Sequence, residues 1–139
     1  MNRLLPTIAI TVLAGSLLLS NPISAQFIPS AKKAARVRII KGPELELARE
    51  NSTIISWTST NPGGSPEHFG VVHYGADPKN LSQTARSHIR LNPTHSYTVF
   101  RVRMDNLKPR TRYYYTVDST EPNGRSDGVT SPINTFTTR

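Results

Sequence analysis

Asp105-Asn106-Leu107-Lys108-Pro109-Arg110-Thr111-Arg112-Tyr113-Tyr114-Tyr115-Thr116-Val117 reads as a tight turn running directly into a β-strand, and it restricts the fold more than any other stretch. Pro109 fixes φ and offers no N–H, so it belongs to the turn and not to the strand beyond. Leu107, Pro109 and Thr111 lead to Tyr113 with a spacing that carries the chain over the end of a β-sandwich. There the Tyr113 hydroxyl is expected to bond back to the backbone just left, as in a tyrosine corner. Alternation then places Tyr113, Tyr115 and Val117 on one face, and Arg112, Tyr114 and Thr116 on the other.

The remaining strands are short and separated by turn residues. Residues 36–40 and 44–47 make a first strand broken at Gly42-Pro43, a placement tolerated at a sheet edge or bulge. Residues 53–58 follow, with Thr53, Ile55 and Trp57 on one face; Trp57 is too large and apolar to leave in water and is the expected centre of the core. The loop at 61–66, Asn-Pro-Gly-Gly-Ser-Pro, leads into a third strand over 69–75. Residues 84–91 alternate, with Arg86, His88 and Arg90 opposite Ser87, Ile89 and Leu91. Residues 97–104 alternate more sharply: Phe100, Val102 and Met104 face in, Arg101 and Arg103 face out, and a one-residue slip would bury two arginines. A polar hairpin loop is expected over 121–128, and residues 133–138 close the sheet with Phe136 in the core. The expectation is an all-β, seven-stranded antiparallel sandwich of the fibronectin type III or immunoglobulin-like kind over 36–139, with Trp57, Phe100, Tyr113, Tyr115 and Phe136 as its core.

The 139 residues suit one domain. With no cysteine, there is no disulfide framework, thiolate zinc site or cysteine nucleophile, so the sandwich must hold by packing. Residues 1–25 carry Arg3, an apolar run over 4–19 and small residues at Ser24-Ala25, the pattern of a secretory signal peptide cut after Ala25. A secreted or periplasmic location is expected; a membrane enters only if that segment stays uncleaved. Residues 26–35, with Pro29 and Lys32-Lys33, read as a flexible basic linker. Net charge is +8, or +7 once Arg3 leaves, which favours anionic surfaces and polymers as partners.

Residues 55–58 (Ile-Ser-Trp-Thr), 72–75 (Val-His-Tyr-Gly), 107–115 (Leu-Lys-Pro-Arg-Thr-Arg-Tyr-Tyr-Tyr) and the terminal 131–138 together resemble the N-terminal fibronectin-like domain of purple acid phosphatases. In that family the domain precedes a metallophosphoesterase domain that carries the two-metal site. No Gly-Asp-x-Gly, Gly-Asp-x-x-Tyr, Gly-Asn-His or Gly-His-x-His motif occurs here. The resemblance therefore implies the accessory module without the phosphatase chemistry; an alternative is the leading part of a purple acid phosphatase whose catalytic domain lies elsewhere.

No catalytic, cofactor-binding or metal-ligating residue is assigned. His68 and His73 are an odd number of residues apart and point to opposite faces; His88 lies between Arg86 and Arg90, and the acids cluster at Glu44, Glu46 and Glu50. Each histidine reads as a surface residue. There is no Gly-x-Ser-x-Gly elbow, and Gly63-Gly64 lacks the Lys-Ser or Lys-Thr of a phosphate cradle. Asn51 and Asn80 head glycosylation sequons. Arg86, Arg90, Arg101, Arg103 and Arg112, with Tyr114, form the candidate interaction surface if their strands lie side by side. The expected partners are a separate phosphoesterase or other protein domain, or an anionic polymer, with no specific nucleic acid.

Overall fold

The computed structural model describes residues 32–139. Residues 1–25, read as a signal peptide, and residues 26–31 of the linker lie outside the described residues. Eight strands follow in order: β1 Ile39–Ala48, β2 Thr53–Thr60, β3 Glu67–Gly75, β4 Gln83–Arg90, β5 Tyr97–Met104, β6 Arg112–Thr120, β7 Ser126–Thr130 and β8 Asn134–Thr137. They build a sheet ordered β1-β2-β5 and a larger one ordered β4-β3-β6-β7, with β8 also paired to β6. Every pairing is antiparallel.

The strand count corrects the expected seven. The expected hairpin loop over 121–128 is shorter, because β7 begins at Ser126. Both β7 and β8 pair with β6, so they fill one position that is interrupted at 131–133. Pro132 cannot donate to a ladder, and Ser131 mends the break: the Val117 N–H donates to its hydroxyl at 2.9 Å, while its own N–H donates to the Val117 carbonyl at 3.0 Å.

Strand alternation sets the core. Phe100, Val102 and Met104 of β5 face inward beside Ile55 and Trp57 of β2, against Val72 of β3, Tyr113, Tyr115 and Val117 of β6, and Phe136 of β8. Trp57 and Phe100 are cross-strand partners and stack at 5.2 Å and 18°. Tyr113 stacks on Phe136 at 5.4 Å. Gly70 of β3 lets the sheets close over this pair, since a Cβ there would lie 3.1 Å from Trp57 Cη2. At the end of the β5–β6 connection the Tyr113 hydroxyl accepts the Lys108 N–H at 2.9 Å.

The start of the described chain is tied down as well. Residues 32–35, read from the sequence as flexible linker, run along the loop between β2 and β3, where the Ala34 N–H donates to the Pro62 carbonyl at 2.8 Å. Gly63, with φ +61°, lies so close that a Cβ there would fall 2.2 Å from the Lys32 carbonyl oxygen.

Candidate functional site

The arginines singled out by alternation divide between two faces. Arg86 and Arg90 on β4, with Arg112 and Tyr114 on β6, sit on the outer face of the larger sheet; Arg101 and Arg103 on β5 sit on the outer face of the smaller one. One continuous arginine surface is therefore not built, because β5 pairs with β2 and not with β4 or β6. Several of the cations are also engaged. Arg101 Nε donates to Glu46 at 2.8 Å, and Arg103 Nε donates to Asp105 at 2.8 Å. The hydrogen bonds from Arg101 and Ser56 hold the Glu46 carboxyl below its usual range. The Arg86 guanidinium lies over the Phe69 ring at 4.3 Å, a cation–π contact. Arg112 is exposed, and Tyr114 beside it is half-buried.

The histidines do not converge. His73 is half-buried on the outer face of β3; His88 pairs with Glu67, and His95 stacks on Tyr97 at 5.8 Å. His68 corrects the surface reading: it is fully buried. Its Nδ1 faces Asp127 Oδ2 at 3.0 Å and its Nε2 faces the Gly63 carbonyl at 3.1 Å. Each imidazole nitrogen thus has one oxygen partner. The Ser119 hydroxyl donates to the same Asp127 oxygen at 2.6 Å, and Lys33 reaches in toward Glu121 at 3.2 Å and Asp127 at 3.8 Å.

Ser, His and Asp are thus neighbours, yet not as a nucleophilic triad. The serine hydroxyl bonds to the carboxylate and not to the imidazole, and both imidazole nitrogens are already occupied, so no base is aimed at Ser119. The cluster instead joins five segments: the start of the described chain, the β2–β3 loop, β3, β6 and β7. Nearby, burial pushes the Asp118 carboxyl above its usual range, against the lowering effect of bonds from the Ser119 N–H and the Ser126 hydroxyl. Among the described residues no group of three or more His, Asp or Glu side chains is placed to hold a metal ion.

These features define a fibronectin type III-like β-sandwich whose buried titratable groups join its own segments. The chain belongs to the family of the purple acid phosphatase N-terminal domain, which matches residues 40–138. Among solved structures, the sensor domain of the anti-sigma factor RsgI4 from Pseudobacteroides cellulosolvens is similar in two versions, both at TM-score 0.51 and 21% identity. The longer covers 74% of this chain and 89% of its own; for the shorter the figures are 76% and 97%. The FN1–FN3 domains of chicken CNTN1 align at TM-score 0.46 and 19% identity, over 69% of this chain and 30% of that one. No curated protein matches the chain.

Proposed function

We propose that this chain is a secreted, non-catalytic accessory module that acts through surface contacts, with a separate phosphoesterase domain or an anionic polymer as its partner. The observation that carries the reading is the use made of the buried polar groups: His68 and Ser119 both bond to Asp127, and His68 also to the Gly63 carbonyl, so Ser119 faces no base. Membership in the purple acid phosphatase N-terminal domain family supports an accessory role, and the signal-like residues 1–25 support secretion. The Tyr113–Lys108 bond supports a tyrosine corner as the device that closes this scaffold.

The purified chain, assayed on p-nitrophenyl phosphate with added iron, zinc or manganese, is expected to give no turnover. Metal-dependent hydrolysis that disappears in His73→Ala would overturn the reading. The family match also favours a second reading, in which these residues lead a longer purple acid phosphatase. Reading the coding DNA beyond Arg139 separates the two, since an in-frame metallophosphoesterase segment would establish the longer protein.

A further inference from the structure

Between the edges of the two sheets lies a cleft of about 540 Å³, lined by residues 36–39 and Pro43 on one side and 128–132 on the other. β1 is the outer strand of its sheet and β7 the outer strand of the other, so two strand edges face the same space. Arg36 and Arg38 stand at this cleft on either side of buried Val37. Both arginines are exposed, whereas Val37 between them is packed inside. Among the described residues neither guanidinium has an ion pair or hydrogen bond, and no carboxylate lines the cleft. This differs from Arg101 and Arg103, which are already neutralised by Glu46 and Asp105.

Beside the cations the lining mixes apolar Ile39, Pro43, Val129 and Pro132 with Thr130 and Ser131. Ile40 and Ile133, chain neighbours of that lining, are among the exposed large apolar residues. A partner bearing charge alone, such as polyphosphate, satisfies the arginines and leaves these walls wet. An extended polypeptide with carboxylates at alternate positions and apolar side chains between them satisfies both, because successive side chains in an extended chain point to opposite sides. Residues 1–31 contain no Asp or Glu, so that segment does not supply the carboxylates. The register shifts in β1 around 39–44 and the interruption after β7 keep either edge from presenting a long flat ladder, which places the partner in the cleft and not as one more strand of a sheet.

We propose that this cleft binds an extended acidic segment of a partner protein, with carboxylates two residues apart held by Arg36 and Arg38 and the intervening apolar side chains against Val129 and Pro132 on the opposite wall. The inference rests on the reading that the chain acts through surface contacts, and it names the partner class and the place. The test is fluorescence anisotropy of a fluorescein-labelled peptide of four Glu-Val repeats at low ionic strength, with a block peptide of four Glu followed by four Val as the composition control. The alternating peptide should bind, and binding should weaken at least about tenfold for the block peptide and for the Arg36→Ala/Arg38→Ala variant. Arg36→Glu/Arg38→Glu should instead accept a Lys-Val repeat. Both arginines are exposed, so an unchanged urea midpoint is expected to show that the variants fold. No binding of the alternating peptide to the wild-type chain, equal binding of the block peptide, or equal binding by the double-Ala variant overturns the inference. Retention on heparin or polyphosphate without peptide binding would overturn it while leaving the broader surface-contact reading in place.

Discussion

Replacing His68 with Leu removes a buried hydrogen-bonding partner from Asp127 and from the Gly63 carbonyl at once. The carboxylate keeps the Ser119 hydroxyl at 2.6 Å and has Lys33 Nζ at 3.8 Å, but loses the His68 contact at 3.0 Å, and the Gly63 carbonyl loses its partner. Breaking a buried pair by deleting one member costs about 3–5 kcal/mol, and here Asp127 is left with only the Ser119 hydroxyl and the more distant Lys33. For a domain whose whole stability is on the order of 5–15 kcal/mol, that is a large share. Each kcal/mol corresponds to a Tm change of roughly 4–8 °C at this size, so the variant should melt at least about 12 °C lower. A second substitution sharpens the test. In the background of Asp127→Asn the stranded charge no longer exists, so His68→Leu should cost about 1.5–3 kcal/mol less than it does in the wild type. Trp57, the one tryptophan in the chain and part of the core, reports unfolding in urea for all four proteins of the cycle. A single-variant loss below about 1 kcal/mol, or additivity of the two substitutions within about 0.5 kcal/mol, would refute the assignment of His68 and Asp127 as a coupled buried pair.

Gly70→Ala should destabilise by about 1–3 kcal/mol through overpacking, since the new methyl lies 3.1 Å from both Trp57 Cη2 and Val102 Cγ2 and 3.2 Å from Phe100 Cδ1. A thermal melt unchanged from wild type would show that the sheets are looser there than the contacts indicate. For Asp118 the expected effect depends on pH. Its raised pKa means that the folded state holds the proton more tightly than the unfolded chain, so the contribution favours the fold below the usual carboxylate range and is lost as pH rises through the raised value. Asp118→Asn should flatten that fall in the urea midpoint on the acid side of neutrality, and identical pH slopes in the two proteins would sink the claim.

The inward faces were legible because a two-residue period is written directly in the chain: Phe100, Val102 and Met104 alternate with Val99, Arg101 and Arg103, and Tyr113, Tyr115 and Val117 alternate in the same way after the turn. Parity also contained the signal for His68, which shares the inward parity of Val72 at the start of the same strand. Histidine's usual place at the surface outweighed that signal, and its partner Asp127 lies 59 residues away in a stretch that reads as a polar loop. The arginines failed differently. Alternation shows that Arg101 and Arg86 point outward, but which sheet each belongs to is set by pairing between distant strands, and no local pattern reports that β5 lies against β2. The break between β7 and β8 was half-visible in Pro132; the use of the Ser131 hydroxyl in place of a ladder partner was not, because it depends on side-chain geometry opposite Val117.

The two poles of the sandwich are fastened by the same kind of device, and this accounts for how a cysteine-free chain holds its ends. At one pole Tyr113 takes the Lys108 N–H, the Thr138 hydroxyl donates to the Lys108 carbonyl at 2.6 Å, and the Arg139 N–H reaches the Arg49 carbonyl at 3.3 Å. At the other, Lys33 and Ala34 are held by Glu121, Asp127 and the Pro62 carbonyl around buried His68. β2 runs from the loop beside Arg49 to the loop that contains Pro62, so the two fastenings are separated by roughly 23 Å, its seven residue steps at 3.3 Å each. The apolar core lies between them and reaches the β5–β6 connection through Leu107, and the polar pins add the bonds that fix where the described chain enters and leaves. Arg36 and Arg38 follow Lys33 by three and five residues. Loosening the His68 pole should therefore disturb the arginine cleft, whereas loosening the Tyr113 pole should not. Peptide affinity measured in Ser119→Ala and Tyr113→Phe is expected to fall only in the first, and an equal loss in both would show that the two poles are not independent.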